Sequence, residues 1–210
     1  MSKLHKEILT EDQQNLLPAV KSFIKDFGLV GGTAVALYLG HRTSIDFDLF
    51  TKNPDHELVP KKLLGQFRRF ALVGTILVAE AHELTFLTET NVKVTFYNFP
   101  HTIPYAERFG SHITMPSLLT LAAMKAYALG ARAKWKDYVD LYFIMHEHHP
   151  LSEIAAQADK LFGGEFNERL LRQQLTYFDD INYTEPVEYF PEHAVPDEEI
   201  KRALTEYALA

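Results

Sequence analysis

The chain has 210 residues, 47% hydrophobic and 12% aromatic, a composition that suits one large or two small globular domains and excludes a disordered tract. It contains no cysteine, so disulfide frameworks, zinc–thiolate sites and thiol nucleophiles are ruled out, and a reducing, cytoplasmic setting is the expectation. The net charge of −7 is uneven: residues 1–150 carry 16 Lys+Arg against 15 Asp+Glu and residues 151–210 carry 5 against 13, so any nucleic-acid contact must be local.

The opening stretch MSKLHKEILTEDQQNLL is charged and lacks an apolar signal-peptide core. No window approaches the roughly eighteen uninterrupted apolar residues of a membrane span. Thr10 with Gln13 predicts a capping box and a helix to about Phe27, kinked at Pro18 and closed by Gly28. A short strand, Leu29-Val30, leads into Gly31-Gly32 and a helix through Leu39. Residues 44–50 alternate as a strand, and 56–70 read as a helix with Leu58, Leu63, Leu64 and Phe67 inward. Residues 71–79, 84–88 and 91–99 are β-branched or aromatic runs between short polar turns, the signature of a meander. After a proline-containing loop, Ser117 caps a helix to about Leu129, and 134–148 form another. Further helices follow, broken around Tyr183–Pro196. The expected class is α+β: an α/β core over residues 1–112 and a helical region over 113–210.

Two features carry chemistry. On a strand, Asp46 and Asp48 project together, while Ile45, Phe47 and Leu49 face the other way and pack against a helix. Neighbouring carboxylates repel unless a cation lies between them, and hard oxygen donors suit Mg²⁺; the plainer alternative is two solvated acids. The Gly31-Gly32-Thr33 turn opens a helix whose free N–H groups and dipole favour a phosphate. Thr33 either caps that helix or donates its hydroxyl to the phosphate. A tight βα turn without a ligand is the alternative, yet a phosphate cradle and a metal site on successive elements together suit a nucleoside triphosphate.

Gly-Gly-Thr followed twelve residues later by Asp-Phe-Asp-Leu-Phe resembles the nucleotidyltransferase signature of the DNA polymerase β superfamily. More narrowly, GGTAVALYLGHRTSIDFDLF, VKVTFYNFP and PSLLTLAAMKAYALGARAKWKDYVDLYFIM are together similar to the AbiEii/AbiGii toxin nucleotidyltransferase family, over about residues 29–145. The resemblance implies a nucleotidyltransferase-like mixed β-sheet flanked by helices. It implies a Mg²⁺-dependent transfer of a nucleoside monophosphate from a nucleoside triphosphate to a tRNA-like or other RNA, or a protein, in the toxin half of a toxin–antitoxin pair with a cognate antitoxin. Asp46 and Asp48 would bind one or two Mg²⁺ ions. Gly31, Gly32, Thr33, Arg42, Lys125 and Lys136 would meet substrate, although Arg42 suits a local salt bridge equally. Asp137 would orient Lys125 or act as general base, and Asp140 belongs to the same motif. Thr95 stands where many relatives carry a third carboxylate, which puts the second ion in question; Glu80, Glu83 and Glu89 are weaker substitutes in turn regions.

Some features fit other readings. Arg132, Lys134 and Lys136 beside Trp135 form a basic patch suited to an RNA backbone. His146, His148 and His149 miss the H-E-x-x-H spacing and suit a helix-end surface. Tyr183, Tyr189 and Phe190 either cover the core or dock a partner. Thr95 favours a catalytically weak nucleotide-binding module that keeps the fold; a haloacid-dehalogenase-type phosphatase is set aside because Phe50 breaks its motif.

Overall fold

The computed structural model describes residues 4–210. Helix α1 (Glu11–Lys21) begins at the expected capping box: the Thr10 hydroxyl accepts from the Gln13 N–H (3.2 Å) and the Gln13 side chain accepts from the Thr10 N–H (3.1 Å). It stops at Lys21 rather than Phe27. The Ser22 hydroxyl donates to the Ala19 carbonyl (2.7 Å), and the next amides fall back to three-residue spacing, Phe23 to Val20 and Ile24 to Lys21. Gly28 therefore closes no helix. It lies within strand β1 (Phe27–Val30), where the Tyr105 ring covers it.

Helix α2 (Gly31–Leu39) follows directly and ends at Gly40, whose φ of +67° closes it in the left-handed conformation. Strand β2 (Phe47–Thr51) and helix α3 (Pro60–Phe67) come next. Strands β3 (Val73–Ala79), β4 (Glu83–Thr88) and β5 (Lys93–Tyr97) form the expected meander. The five strands make one mixed sheet in the order β1-β2-β5-β4-β3; β2 runs parallel to β5 and the other pairs are antiparallel.

The proline-containing loop holds an unexpected hairpin, β6 (Glu107–Phe109) and β7 (Ile113–Met115), turning at Gly110 with φ +54° and packed beside β1. Sheet structure thus continues past residue 112. Helices α4 (Leu118–Leu129), capped by Ser117, and α5 (Trp135–Glu147) pack on α2. Helix α6 (Leu151–Phe162) packs on α4, and α7 (Glu168–Gln174) with α8 (Asp197–Leu209) completes the helical half. One apolar cluster runs through both halves, from Val20 and Phe47 to Phe143 and Leu204. Among the described residues no helix is long and apolar enough to cross a membrane.

Strand alternation divides the sheet into two faces. Phe47 and Leu49 of β2 and Val94 and Phe96 of β5 are buried, and Phe96 meets Phe23 and Phe27 at ring separations of 4.7 and 5.1 Å. Ile45, expected on that face, is 50% exposed because β2 begins only at Phe47. The opposite face presents Asp48 and Phe50 of β2 and Lys93, Thr95 and Tyr97 of β5 to a cavity.

A Cβ added to Gly28 would overlap the Tyr105 ring. Gly28→Ala should cost about 1–3 kcal/mol in urea unfolding, and much less in a Tyr105→Ala background, where the obstructing ring is gone. An undiminished cost in that background would contradict the assigned contact.

Candidate active site

The cavity, about 520 Å³, lies between this sheet face and helices α4 and α5. Gly31 and Asp48 both line it and lie in close approach. Gly31 opens α2 with φ +71°, and a Cβ there would overlap the Asp48 carboxylate, so only glycine permits the turn and the acid to meet. Gly32 has a similar constraint: a Cβ would lie 2.7 Å from Arg42 Nη2 and 3.2 Å from Ser44 Oγ. No side chain caps the N-terminus of α2, which leaves its first-turn amides and positive dipole end beside Asp48.

Thr33 is buried, contrary to either expected role. Val30 is the capping position, and the Thr33 hydroxyl bonds Ser44 Oγ (2.9 Å) and the Asp46 carbonyl. It ties the Asp46 segment to α2 and has no hydroxyl left for a phosphate.

Both aspartates are partly buried, but among the described residues only Asp46 has a cation in contact. Asp46 Oδ2 is 2.7 Å from Lys93 Nζ, and Asp46 and Lys93 are both only partly buried. Burial tends to neutralise Lys93, but the hydrogen bond and charge of Asp46, with Asp48 behind it, raise its pKa. Asp48 is pushed the other way for a carboxylate: burial and the neighbouring Asp46 raise its pKa, against Lys93, Arg132 and Lys125. Opposite Asp48 in the parallel register stands Thr95, and Thr85 of β4 continues the row, its hydroxyl 3.3 Å from that of Thr95. Among the described residues no group of three or more His, Asp or Glu side chains is placed to hold a metal. Glu80 and Glu89 are exposed, whereas Glu83 begins β4 and lines the cavity.

The helical wall brings Lys125 of α4 to Asp137 and Asp140 of α5, with Nζ–O distances of 2.6 and 2.7 Å. The three-residue spacing of the aspartates places both on one helix face. Asp140 is fully buried. It accepts Arg42 Nε and Nη2 at 2.7 and 2.8 Å and His41 Nε2 at 2.8 Å. Burial disfavours its charge, but Arg42, Lys125 and the His41 hydrogen bond hold its pKa well below the ordinary 3.8. Asp137 is likewise lowered, against its burial, by Lys125 and Arg132. Arg42 is therefore a bidentate structural partner of Asp140, with its remaining nitrogen on the Thr43 carbonyl (2.9 Å). Its guanidinium abuts Gly32 but is committed to the protein.

At the rim, Lys134 and Lys136 reach one acid, Glu185, at 2.7 and 3.5 Å. The hydrogen bond from Lys134 outweighs partial burial and lowers the Glu185 pKa to about 2. Glu185 lies on an extended strap tied at Asn182 to Ala133 (2.7 Å) and at Glu188 to Thr43 (2.9 Å). The expected Lys136 contact with substrate thus competes with an internal anion.

The family model described as nucleotidyl transferase AbiEii toxin, type IV toxin–antitoxin system, matches residues 17–207. The chain belongs to that family. An uncharacterized protein of Aquifex aeolicus (strain VF5) is 28% identical over 206 residues, spanning 95% of this chain and 97% of its own. Two Helicobacter pylori crystal structures, JHP933 among them, superpose with TM-scores of 0.61 and 0.56 at 17% identity, covering 98% of this chain and 95% and 92% of theirs. MenT4, a nucleotidyltransferase toxin of Mycobacterium tuberculosis H37Rv, gives 0.60 at 13% identity, covering 94% of this chain and 80% of its own. These structural likenesses carry the fold; the family match carries the nucleotidyltransferase class and extends past the helices where the sequence motifs fade.

In this AbiEii-family chain Lys93 and Glu185, which the sequence reading did not single out, line the cavity together with Glu83, and His41 supports it from behind through Asp140. His146 bonds the Tyr207 hydroxyl (3.1 Å) and His149 pairs with Glu153 (3.0 Å), so the histidine cluster stands apart as a helix end. Tyr189 and Phe190 pack on the core, while Tyr183 is 44% exposed and meets the Trp135 ring at 5.4 Å.

Asp140→Asn would leave Arg42 and Lys125 short of a counter-charge and should cost about 3–5 kcal/mol by urea unfolding. Because the folded pKa values of Asp140 and Asp137 lie below the ordinary 3.8, their contribution is full above that pH and falls away as pH drops below it. Asp48 has the opposite sign: its raised pKa means that stability declines as pH climbs from 3.8 through the folded value. Asp48→Asn should flatten that decline without the Asp140 penalty, as read from unfolding midpoints across pH.

Proposed function

We propose that this protein transfers a nucleoside monophosphate from a nucleoside triphosphate to an RNA acceptor, as the toxin partner of a cognate antitoxin. The observation that carries the reading is the Asp48 carboxylate lying against Gly31 at the uncapped start of α2, with Asp46 beside it and Lys125 on the opposing wall.

The carboxylates suit a divalent cation. Lys93 already supplies a positive charge to Asp46, while among the described residues no cation makes an ion pair with Asp48. Asp46 and Asp48 would hold Mg²⁺, with phosphate oxygens and water completing the shell. When bound, the ion supplies charge neutralisation on the transferring phosphoryl group and on its entering and leaving oxygens. With Thr95 in place of an acid, the donor set fits one ion better than two.

The chain's own groups do the remaining positioning. The Gly31-Gly32 amides and α2 dipole receive phosphate oxygens. Lys125 is aimed by Asp137 and Asp140 and meets the triphosphate with its charge intact, since its pKa is raised by Asp137 and Asp140 despite burial. Asp137, whose pKa is lowered by its pairing with Lys125 and Arg132, is better suited to orienting the lysine than to taking a proton. Arg132, Lys134 and Lys136 face the rim where an anionic acceptor strand would approach.

The test is incubation with each labelled triphosphate, Mg²⁺ and total tRNA. Wild-type protein should label RNA, and Asp46→Ala and Lys125→Ala should each cut labelling about 10²-fold or more. Absence of label in any acceptor, with wild type and variants alike, would contradict transfer. Mg²⁺–triphosphate binding without transfer would instead favour the weak nucleotide-binding module, to which Thr95 points. Mg²⁺ alone should raise the melting temperature of wild type more than that of Asp48→Asn.

A further inference from the structure

The cavity is chemically divided. Along the sheet the register sets two rows: Asp48, Thr95 and Thr85 in one, and Phe50, Tyr97 and Glu83 in the next. The rows are two residues apart along the strands, ~7 Å. The cations whose charges reach Asp48 are Lys93, Arg132 and Lys125. The second row has an aromatic floor: Phe50 and Tyr97 rings lie 5.2 Å apart, and Phe99 lies 5.1 Å from Phe50. From α4, Leu121 and Met124 face this floor across the cavity, one turn and one residue from Lys125.

Glu83, opposite Tyr97 in the register, stands at the β4 end of the aromatic row. Its Oε1 accepts from the Thr85 hydroxyl (2.7 Å), and among the described residues no cation pairs with it. It does not complete the metal site. Its backbone is on β4, two strand spacings and ~9–10 Å across the sheet from β2, and its carboxylate is engaged by Thr85 rather than by either aspartate's strand. It is an acceptor-only group beside an aromatic slot.

We infer that this slot seats the nucleobase, stacked on Tyr97 and Phe50 against Met124, and that Glu83 accepts a hydrogen bond from an amino group on the base edge. The inference rests on the nucleotidyltransferase reading and adds a base subsite to it. A chain of phosphates at the cationic end leaves the ribose to span the step between rows and the ring to reach the aromatic floor. Stacking is indifferent to base identity because every base has a π face. Discrimination falls to Glu83: a carboxylate accepts from the exocyclic amines of cytosine, adenine and guanine, whereas uracil carries no exocyclic amine and offers only its ring N3–H. The substrate class is therefore an amino-bearing nucleoside triphosphate, with the uridine nucleotide disfavoured.

The experiment is calorimetric titration of Mg²⁺ complexes of the four non-hydrolysable triphosphates, with inorganic tripolyphosphate as the base-free probe. Wild type should bind the three amino-bearing nucleotides about tenfold or more tighter than the uridine nucleotide. Tyr97→Leu should weaken all four nucleotides about tenfold, Tyr97→Phe should restore them, and neither should alter tripolyphosphate binding. Glu83→Gln should bring the four nucleotides within about threefold of one another, again with tripolyphosphate unchanged. Thermal melting of each variant confirms that it is folded, and Glu83→Gln, at a half-buried strand end, keeps the test open should Tyr97→Leu not fold. Four nucleotides bound equally by wild type, or variants that match it, would overturn the base slot and leave the phosphate and metal reading standing. Wild-type protein that binds neither nucleotide nor tripolyphosphate would overturn both.

Discussion

The buried carboxylate of Asp140 is the constraint on which the site depends. It receives four hydrogen bonds or ion pairs, two from Arg42 and one each from Lys125 and His41, with no exposure to solvent. These contacts join α5 to α4 and to the segment after α2, three pieces that no backbone ladder connects. Burying this much charge earns little net stability, because desolvation offsets most of the Coulomb attraction. What the cluster secures is position. Arg42 sits beneath Gly32, and Lys125 is held by the two aspartates at the cavity wall. Every charge is matched, so the arrangement is costly to break and rigid while intact.

The acids across the cavity are under the opposite regime. Asp46 and Asp48 repel, Asp48 is disfavoured as an anion by its burial, and Lys93 relieves only Asp46 directly. The fold therefore satisfies its charges completely on the helical wall and leaves them under-satisfied on the sheet. That asymmetry is what a binding site for a cation and a polyanion requires, since a fully compensated pair of acids would have nothing to gain from either. Glu185 mirrors it at the rim, occupying two lysines that face the entrance. Free ligand groups and internal stand-ins thus alternate around one cavity.

Much of this was legible in the sequence because it is encoded locally. The Thr10–Gln13 capping box, the Ser117 cap, the alternation around Asp48 and the Gly-Gly turn each declare themselves within a few residues. The spacing of Asp137 and Asp140 likewise placed both on one helix face, while the pairing of Asp137 with Lys125 came from the family resemblance. What periodicity could not show was long-range. Thr33 looks outward on a helix start but bonds a carbonyl thirteen residues away, and Arg42 and Asp140 are separated by 98 residues. Lys93 and Glu185 carry no signal of their own in the sequence, and folding brings them to the cavity. The end of α1 at Lys21 turns on one serine hydroxyl, too small a signal to override a continuing apolar stripe. The β6–β7 hairpin, with three residues per strand, is shorter than any pattern that alternation can establish.

Anomalous scattering from crystals soaked with Mn²⁺ and a non-hydrolysable nucleoside triphosphate tests the central claim most directly. A manganese peak bonded to carboxylate oxygens of both Asp46 and Asp48 is expected, with Lys93 displaced from Asp46 and phosphate oxygens on the Gly31-Gly32 amides. Manganese bound elsewhere, with Lys93 still on Asp46 and the triphosphate away from that turn, would contradict it.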